Sequence, residues 1–335
     1  MLFLVGIGAL SYANDNRLIS IDPRQEILIK KKLGNWSKSE SEVLAAAQEQ
    51  NLPILAAFVG RSFCPWSQKL VAEVLTQRAF YTKVRTEAIL WHIPIHHKAD
   101  EDELGLRAKY KVGECPLILL LDPQGREFAR IDYLSLEAGE FAEKIAGIIA
   151  DFQEVCIALD EPEHVEASKW QELYAMAREF SVPYFRDAIL QRGLKSEFKA
   201  YFLMEKYAAL VEKCSLRNDR VKQCRYELLS SDPHNREGIP LKVAMLEFDK
   251  LSKSLKRKDR VEKALRPLFE YLHLFGEKDP ENAWRVEMMV AQYLFTKNAV
   301  QAALEYAHRS YQKAPDPAKA EIADSILFMQ SKGQT

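Results

Sequence analysis

The chain lacks any apolar run approaching the ~20 residues that a membrane-spanning helix needs, so no span is expected once an N-terminal signal has been removed. It also lacks an excess of either charge. Its 47 basic and 48 acidic side chains leave a net charge of −1, which gives no electrostatic reason to expect nucleic acid or an anionic membrane as partner. No phosphate-binding loop and no serine–histidine–acid pattern occurs, so nucleotide chemistry and serine hydrolysis are not indicated and no cofactor is expected. Glycine is scarce, with 13 residues in 335, and nearly vanishes after residue 160. Cysteine is limited to five positions: 64, 115, 156, 214 and 224. What remains is a chain of ordinary globular composition, 47% hydrophobic and 28% charged, long enough for two domains that each bury a core.

The N-terminus departs from that composition. "MLFLVGIGALSYA" is an apolar stretch closed by Ser11-Tyr12-Ala13, the pattern of a secretory signal with cleavage expected after Ala13. A buried first strand or helix is the alternative. The basic segment that ordinarily precedes such a stretch is missing, which raises the expectation of a true start upstream of Met1. Export would place the protein in a periplasmic or secretory compartment, where disulfides form. Residues 14–35 then read as an N-terminal extension.

From residue 36 the pattern becomes regular. "KSESEVLAAAQEQ" (38–50) predicts an amphipathic helix capped by Ser37 or Ser39, with Glu40 and Glu42 in its first turn. "PILAAFVG" (53–60) predicts a strand buried on both faces. A second helix is expected over 65–80, a strand over 87–96 and a charged helix over 100–112. "GECPLILLLDPQGREFARI" (113–131) predicts a hairpin whose turn is Asp122-Pro123-Gln124-Gly125. A closing helix covers 136–152. The expected fold is a mixed sheet with helices on both faces over 36–152.

Beyond about residue 160 helical periodicity takes over. Similar breaks at "SSDPHN" (230–235), "EKDPEN" (277–282) and "APDPAK" (314–319) suggest stacked helix hairpins over 160–335, resembling tetratricopeptide arrays only weakly. An irregular helical bundle is the alternative.

The chemistry is concentrated in "FCPWSQKL" (63–70). Cys64 stands at a helix start, where unpaired N–H groups and the dipole favour a thiolate. Pro65 at the first helical position loses no hydrogen bond there. Ser67, three residues on, can face back and donate to the sulfur. Trp66 offers an exposed aromatic for gripping an unfolded peptide. A small buried cysteine at a strand end is the alternative account of Cys64.

With its preceding strand and "LRAKYKVGECPLILLLDPQGREFARI", this stretch resembles the thioredoxin family. The C-x-x-S form resembles monothiol members of the protein disulfide isomerase group. The resemblance covers 36–152. It implies a cis peptide bond before Pro116, with Pro116 facing Cys64 and forming a docking edge for substrate. Two departures matter: Ser67 replaces the second cysteine, and Ala57 stands where many thioredoxins hold a buried acid. A mixed disulfide at Cys64 then cannot be expelled from within the motif. If Pro116 is cis and faces the site, Cys115 is either an unconventional resolving cysteine or a small residue packed beneath the motif.

Other features are weaker. Cys214 and Cys224 would lie ~15 Å apart on one straight helix, but a turn at 217–219 would bring them together. They are either a structural disulfide or free core thiols. Cys156 lies on an apolar face. His92, His96 and His97, with Asp100 and Glu103, form either a metal cluster or, more simply, a solvated strand end, and no metal is expected. "KSLKRKDR" (253–260) reads as a solvated turn.

Together these features predict a thioredoxin-like α/β domain followed by an all-α domain. The expected function is thiol–disulfide exchange on exported cysteine-containing clients, of isomerase or retention type. The residues assigned are Cys64, Ser67 and Cys115 for chemistry, and Pro65, Trp66 and Pro116 for binding. The helical domain would offer a surface to a client or protein partner. The alternative is a redox-inactive peptide- or protein-binding module, a chaperone or adaptor on the same fold.

Overall fold

The structure, a computed structural model, describes residues 36–60, 63–96, 98–254 and 261–333. The expected signal segment and extension (1–35), His97 and most of 253–260 lie outside the described residues.

The chain divides into two compact units, with the boundary between Ile189 and Leu190. In the first, helix α1 (Glu40–Gln50) is capped by Ser39, whose side chain accepts from Glu42 N–H. Strand β1 (Ile54–Gly60) follows and is buried along its whole length, as expected for a strand covered on both faces. Helix α2 (Pro65–Leu70) runs into a π-helical turn (Val71–Leu75), and α3 (Arg78–Val84) starts afresh after Gln77. Sequence periodicity had predicted one helix here. The break is stabilised by Thr76 Oγ1 and Gln77 Nε2, which donate to the Ala72 carbonyl at 3.3 and 2.6 Å.

Strand β2 (Ile89–Ile95), helix α4 (Glu101–Lys109, capped by Asp100), strands β3 (Leu117–Leu121) and β4 (Glu127–Asp132) and helix α5 (Ala138–Asp160) complete the domain. The sheet order is β2-β1-β3-β4. β1 runs parallel to β2 and antiparallel to β3, and β3 and β4 form the predicted hairpin. Its turn closes with Gly125 N–H donating to the Asp122 carbonyl at 2.9 Å, and Gly125 takes φ +79°, a conformation that suits glycine.

One face of the sheet packs Ile54, Ala56, Phe58, Trp91 and Leu119 against Val43 and Ala47 of α1. A bulge between Leu120 and Leu121 leaves Phe128 without a partner residue on β3. Its carbonyl accepts from Ser181 N–H at 2.9 Å. At the opposite edge Ser37 bridges to Trp91, donating to the Leu90 carbonyl at 3.1 Å and accepting from His92 N–H at 2.9 Å.

Two further helices, α6 (Lys169–Arg178) and most of α7 (Pro183–Gly193), fall within the first unit. An aromatic cluster accounts for this. Phe128 stacks on Phe152 of α5 with centroids 3.8 Å apart, and Phe180 and Phe185 pack edge-on against Phe152 at 6.0 and 5.3 Å.

The second unit is all helix: α8 (Lys199–Lys213), α9 (Asp219–Ser231), α10 (Ile239–Ser254), α11 (Val261–Phe275), α12 (Pro280–Thr296), α13 (Val300–Lys313) and α14 (Asp316–Gly333). Each packs chiefly on its sequence neighbours. The similar Asp-Pro breaks act as helix starts. The Asp232 carboxylate, 4% exposed, accepts from the N–H groups of Arg236, Glu237 and Ile239 at 2.6, 3.0 and 3.1 Å. Asp279 caps α12. Asn235 donates to Asp279 at 2.8 Å, so the first two breaks meet in space.

Buried polar groups recur between these helices. Tyr207 and Arg225 both donate to Glu247, and Tyr271 donates to Asp279. Arg309 and Lys313 reach the fully buried Glu287 at 2.9 and 2.8 Å.

Among the described residues no helix is long and apolar enough to cross a membrane.

Candidate functional site

The site lies where β1 ends, α2 begins and the segment before β3 crosses beneath them. Cys64 is the N-cap of α2, in extended conformation, with Pro65 at the first helical position. Its carbonyl accepts from Gln68 N–H at 3.2 Å, the first turn of the helix. The peptide bond between Cys115 and Pro116 is cis. Cys64 Sγ–H donates to the Cys115 carbonyl at 3.2 Å, so residues 51 positions apart are in direct contact. Cys64 is 9% exposed, while Cys115 and Pro116 are half-buried.

Ser67 is fully buried, and its hydroxyl oxygen has a backbone partner. Its Oγ accepts from Gly60 N–H at 2.9 Å. Burial pushes the Cys115 thiol above its ordinary value. The Cys64 sulfur beside it adds to that effect, and the Ser67 hydroxyl and Gly60 N–H oppose it without reversing it.

Gly60 was not singled out by sequence reasoning, yet it makes this geometry sterically feasible. A Cβ added there would lie 2.7 Å from both Cys115 Sγ and Cys64 Cβ, closer than atoms can approach. The two thiol-bearing groups therefore converge on space that only glycine leaves empty. The available signal was a glycine ending a strand directly ahead of the motif.

The rim is aromatic. Phe63 and Trp66 are 44% and 50% exposed, and Trp66 rests on Tyr133 with ring centroids 5.4 Å apart. Nothing in the sequence pointed to Tyr133. Ala57 is fully buried in β1 opposite Ile118, so no acid lies beneath the motif at that position.

The remaining candidates lie elsewhere. Cys214 and Cys224, weighed as a structural disulfide or as free core thiols, are both free: Cys214 ends α8, and Cys224 on α9 is buried, its Sγ 3.7 Å from the Leu203 carbonyl. Burial raises the Cys156 thiol to about 11, which makes it a poor nucleophile at neutral pH. His96 is engaged by Glu103, with Nδ1 2.9 Å from Oε2, and among the described residues no three histidine, cysteine or acidic side chains gather as a metal site.

Comparison with known proteins agrees with this architecture. Residues 41–146 match the family model described as a thioredoxin-like domain. The chain is similar to the "Thioredoxin-related protein DsbJ" of Chlamydia pneumoniae, with 28% identity over 303 residues, covering 88% of this chain and 87% of that protein. The similarity therefore extends into the helical unit. Among solved structures the chain is similar to "DsbH Oxidoreductase" at 20% identity and a TM-score of 0.32, over 33% of this chain and 81% of that one. It is also similar to a thioredoxin from Thermus thermophilus at 20% identity and a TM-score of 0.30, over 38% of this chain and 95% of that one. This chain thus carries a thioredoxin-like domain followed by a region built of helices.

Proposed function

We propose that the protein performs thiol–disulfide exchange on exported, cysteine-containing proteins, with Cys64 as the nucleophile and a mode of action closer to isomerase or retention factor than to reductase. The observation that carries this proposal is the contact of the Cys64 thiol, at the start of α2, with the Cys115 carbonyl of the cis Cys115–Pro116 pair. That contact sets the sulfur beside an irregular backbone segment whose polar groups can meet an extended peptide in strand-like fashion. The name of the Chlamydia relative, a thioredoxin-related Dsb protein, supports the same class of chemistry.

In the reaction the Cys64 thiolate attacks one sulfur of a client disulfide. The Cys64–client S–S bond forms, the client's own S–S bond breaks, and its second sulfur leaves as a thiolate that takes up a proton. When another client thiol attacks the mixed disulfide, Cys64 is regenerated and the client carries a rearranged bond, with no net change in oxidation state. Pro65 fixes the helix start, Ser67 holds the end of β1 through Gly60, and Trp66 with Pro116 frames the entry. The apolar N-terminal stretch is assigned to export, and the helical unit to engagement of a client or partner.

The test is to incubate the reduced full chain with a peptide containing one disulfide, quench with acid and map adducts by mass. The expected result is a mixed disulfide on Cys64 that is lost in Cys64→Ser. A chain that forms no adduct and whose Cys64 resists alkylation in the folded state would instead be a binding module on the same fold.

A further inference from the structure

We infer that Cys115 is the resolving thiol of this site, so that the pair cycles between a dithiol and a Cys64–Cys115 disulfide despite the serine in the motif. This rests on Cys64 acting as the nucleophile. The supporting geometry is independent of sequence spacing. Cys115 Sγ and Cys64 Cβ both lie 2.7 Å from the point where a Gly60 Cβ would stand, and the Cys64 thiol is bonded to the backbone of Cys115 itself. Gly60 places no side chain of its own at that point, and the Phe63 ring edge comes within 3.2 Å of it. The position of a second motif cysteine is taken by Ser67, which is buried and bonded to Gly60, the residue against which Cys115 Sγ packs. The serine hydroxyl supports the alternative thiol by favouring its ionised form.

In the mixed disulfide the Cys115 thiolate attacks Cys64 Sγ. The Cys64–Cys115 S–S bond forms, the Cys64–client bond breaks, and the client leaves as a thiolate that is protonated as Cys115 has been deprotonated. Over both steps the client disulfide has gained two electrons and two protons, and the chain has lost them. An external dithiol, a reduced C-x-x-C protein or dithiothreitol in vitro, returns the pair to the reduced form and is itself oxidised to a disulfide. Burial and the neighbouring sulfur raise the Cys115 thiol, which lowers its thiolate fraction and disfavours this escape relative to attack by a client thiol. Exchange would then be the fast route and reduction the release from a trapped complex.

The test uses the full chain with Cys156, Cys214 and Cys224 replaced by serine, reduced and mixed with one equivalent of dithionitrobenzoate, an aromatic disulfide that releases a coloured thiolate. Two equivalents of coloured thiolate are expected, with a mass lower by two hydrogens and a cross-linked peptide joining Cys64 to Cys115. Cys115→Ser and Cys115→Ala should each release one equivalent and keep the aromatic adduct on Cys64. Gly60→Ala, which crowds both groups, should retain the first release and slow the second, a split that general loss of structure would not give. One equivalent from the parent, with a lasting adduct on Cys64, would overturn the role of Cys115 while leaving Cys64 as nucleophile. No release at all would overturn both. If the triple-serine background fails to fold, peptide mapping of the same reaction on the unaltered chain decides between these outcomes.

Discussion

The two units bury polar groups in different ways. In the first, the reactive ones are gathered at a single place, where β1, α2 and the segment before β3 converge on Gly60. The sheet behind them is apolar, with β1 and β3 fully buried. In the second, polar groups are distributed between helices: Glu247 with Tyr207 and Arg225, Asp279 with Asn235 and Tyr271, and Glu287 with Arg309 and Lys313. Every carboxylate of the second set is engaged by donors through at least one oxygen, although Glu287 Oε2 has no partner, and these bonds fix which segment meets which. In the first unit Cys64 and Cys115 lie together at Gly60 with their thiols unbridged. Buried carboxylates bonded across segments specify structure, whereas the convergence of two thiol-bearing residues at one glycine makes a candidate site for chemistry.

Three experiments would break or sharpen that contrast. The largest effect is expected from Gly193→Ala. A Cβ there would fall 2.3 Å from the ring of the fully buried Phe202. Overpacking of this kind should cost about 3 kcal/mol. Hydrogen exchange should show lost protection in peptides from α8 and unchanged protection in the sheet. Equal loss in both would mean that the units unfold as one.

Asp232→Ala comes next, because three backbone N–H groups would lose their acceptor. Water can reach some of them, so about 2 kcal/mol is expected, read from the urea midpoint of the helical unit. Asp232→Asn should recover part of this loss, since one amide oxygen can still accept. No recovery would point to charge as the main contribution.

The smallest effect is alkaline. Burial, with Glu247 and Asp279 as neighbours, raises the phenols of Tyr207 and Tyr271 above the ordinary tyrosine value. The folded chain therefore holds these protons more tightly than the unfolded chain. Their stabilising contribution is whole below pH about 10 and is lost as pH rises beyond it. The urea midpoint of the helical unit should fall over that range, and Tyr207→Phe should flatten the fall. An unchanged slope in that variant would show that Tyr207 is not responsible.

Much of the first unit was legible in sequence because its signals are local. A continuous apolar run predicts β1, Asp-Pro-Gln-Gly predicts the β3–β4 turn, and a cysteine followed by proline predicts a helix start. What stayed hidden depends on contacts between distant segments. The interruption at 71–77 is invisible to periodicity, because it depends on two side chains taking up the Ala72 carbonyl. The bond from Gly60 N–H to Ser67 follows from how the end of β1 meets α2, and no spacing within the motif encodes that. The boundary at 189/190 was hidden for a similar reason. The sequence turns helical near 160, but Phe180 and Phe185 pack with the phenylalanines of β4 and α5. In the helical region the similar Asp-Pro breaks were visible, but their meeting through Asn235 and Asp279 was not.

The two outer strands bear on solubility. A sheet edge is a template on which a foreign extended chain can polymerise. Here Ser37 lies along part of β2, and Ser181 takes the carbonyl that the β4 bulge exposes. Both edges are thereby made poor templates. A protein proposed to handle half-folded clients risks being drawn into their aggregates, and blunted edges lower that risk. Under the proposed function, strand-like docking of a client is then left to the Cys115–Pro116 segment, where the sulfur is.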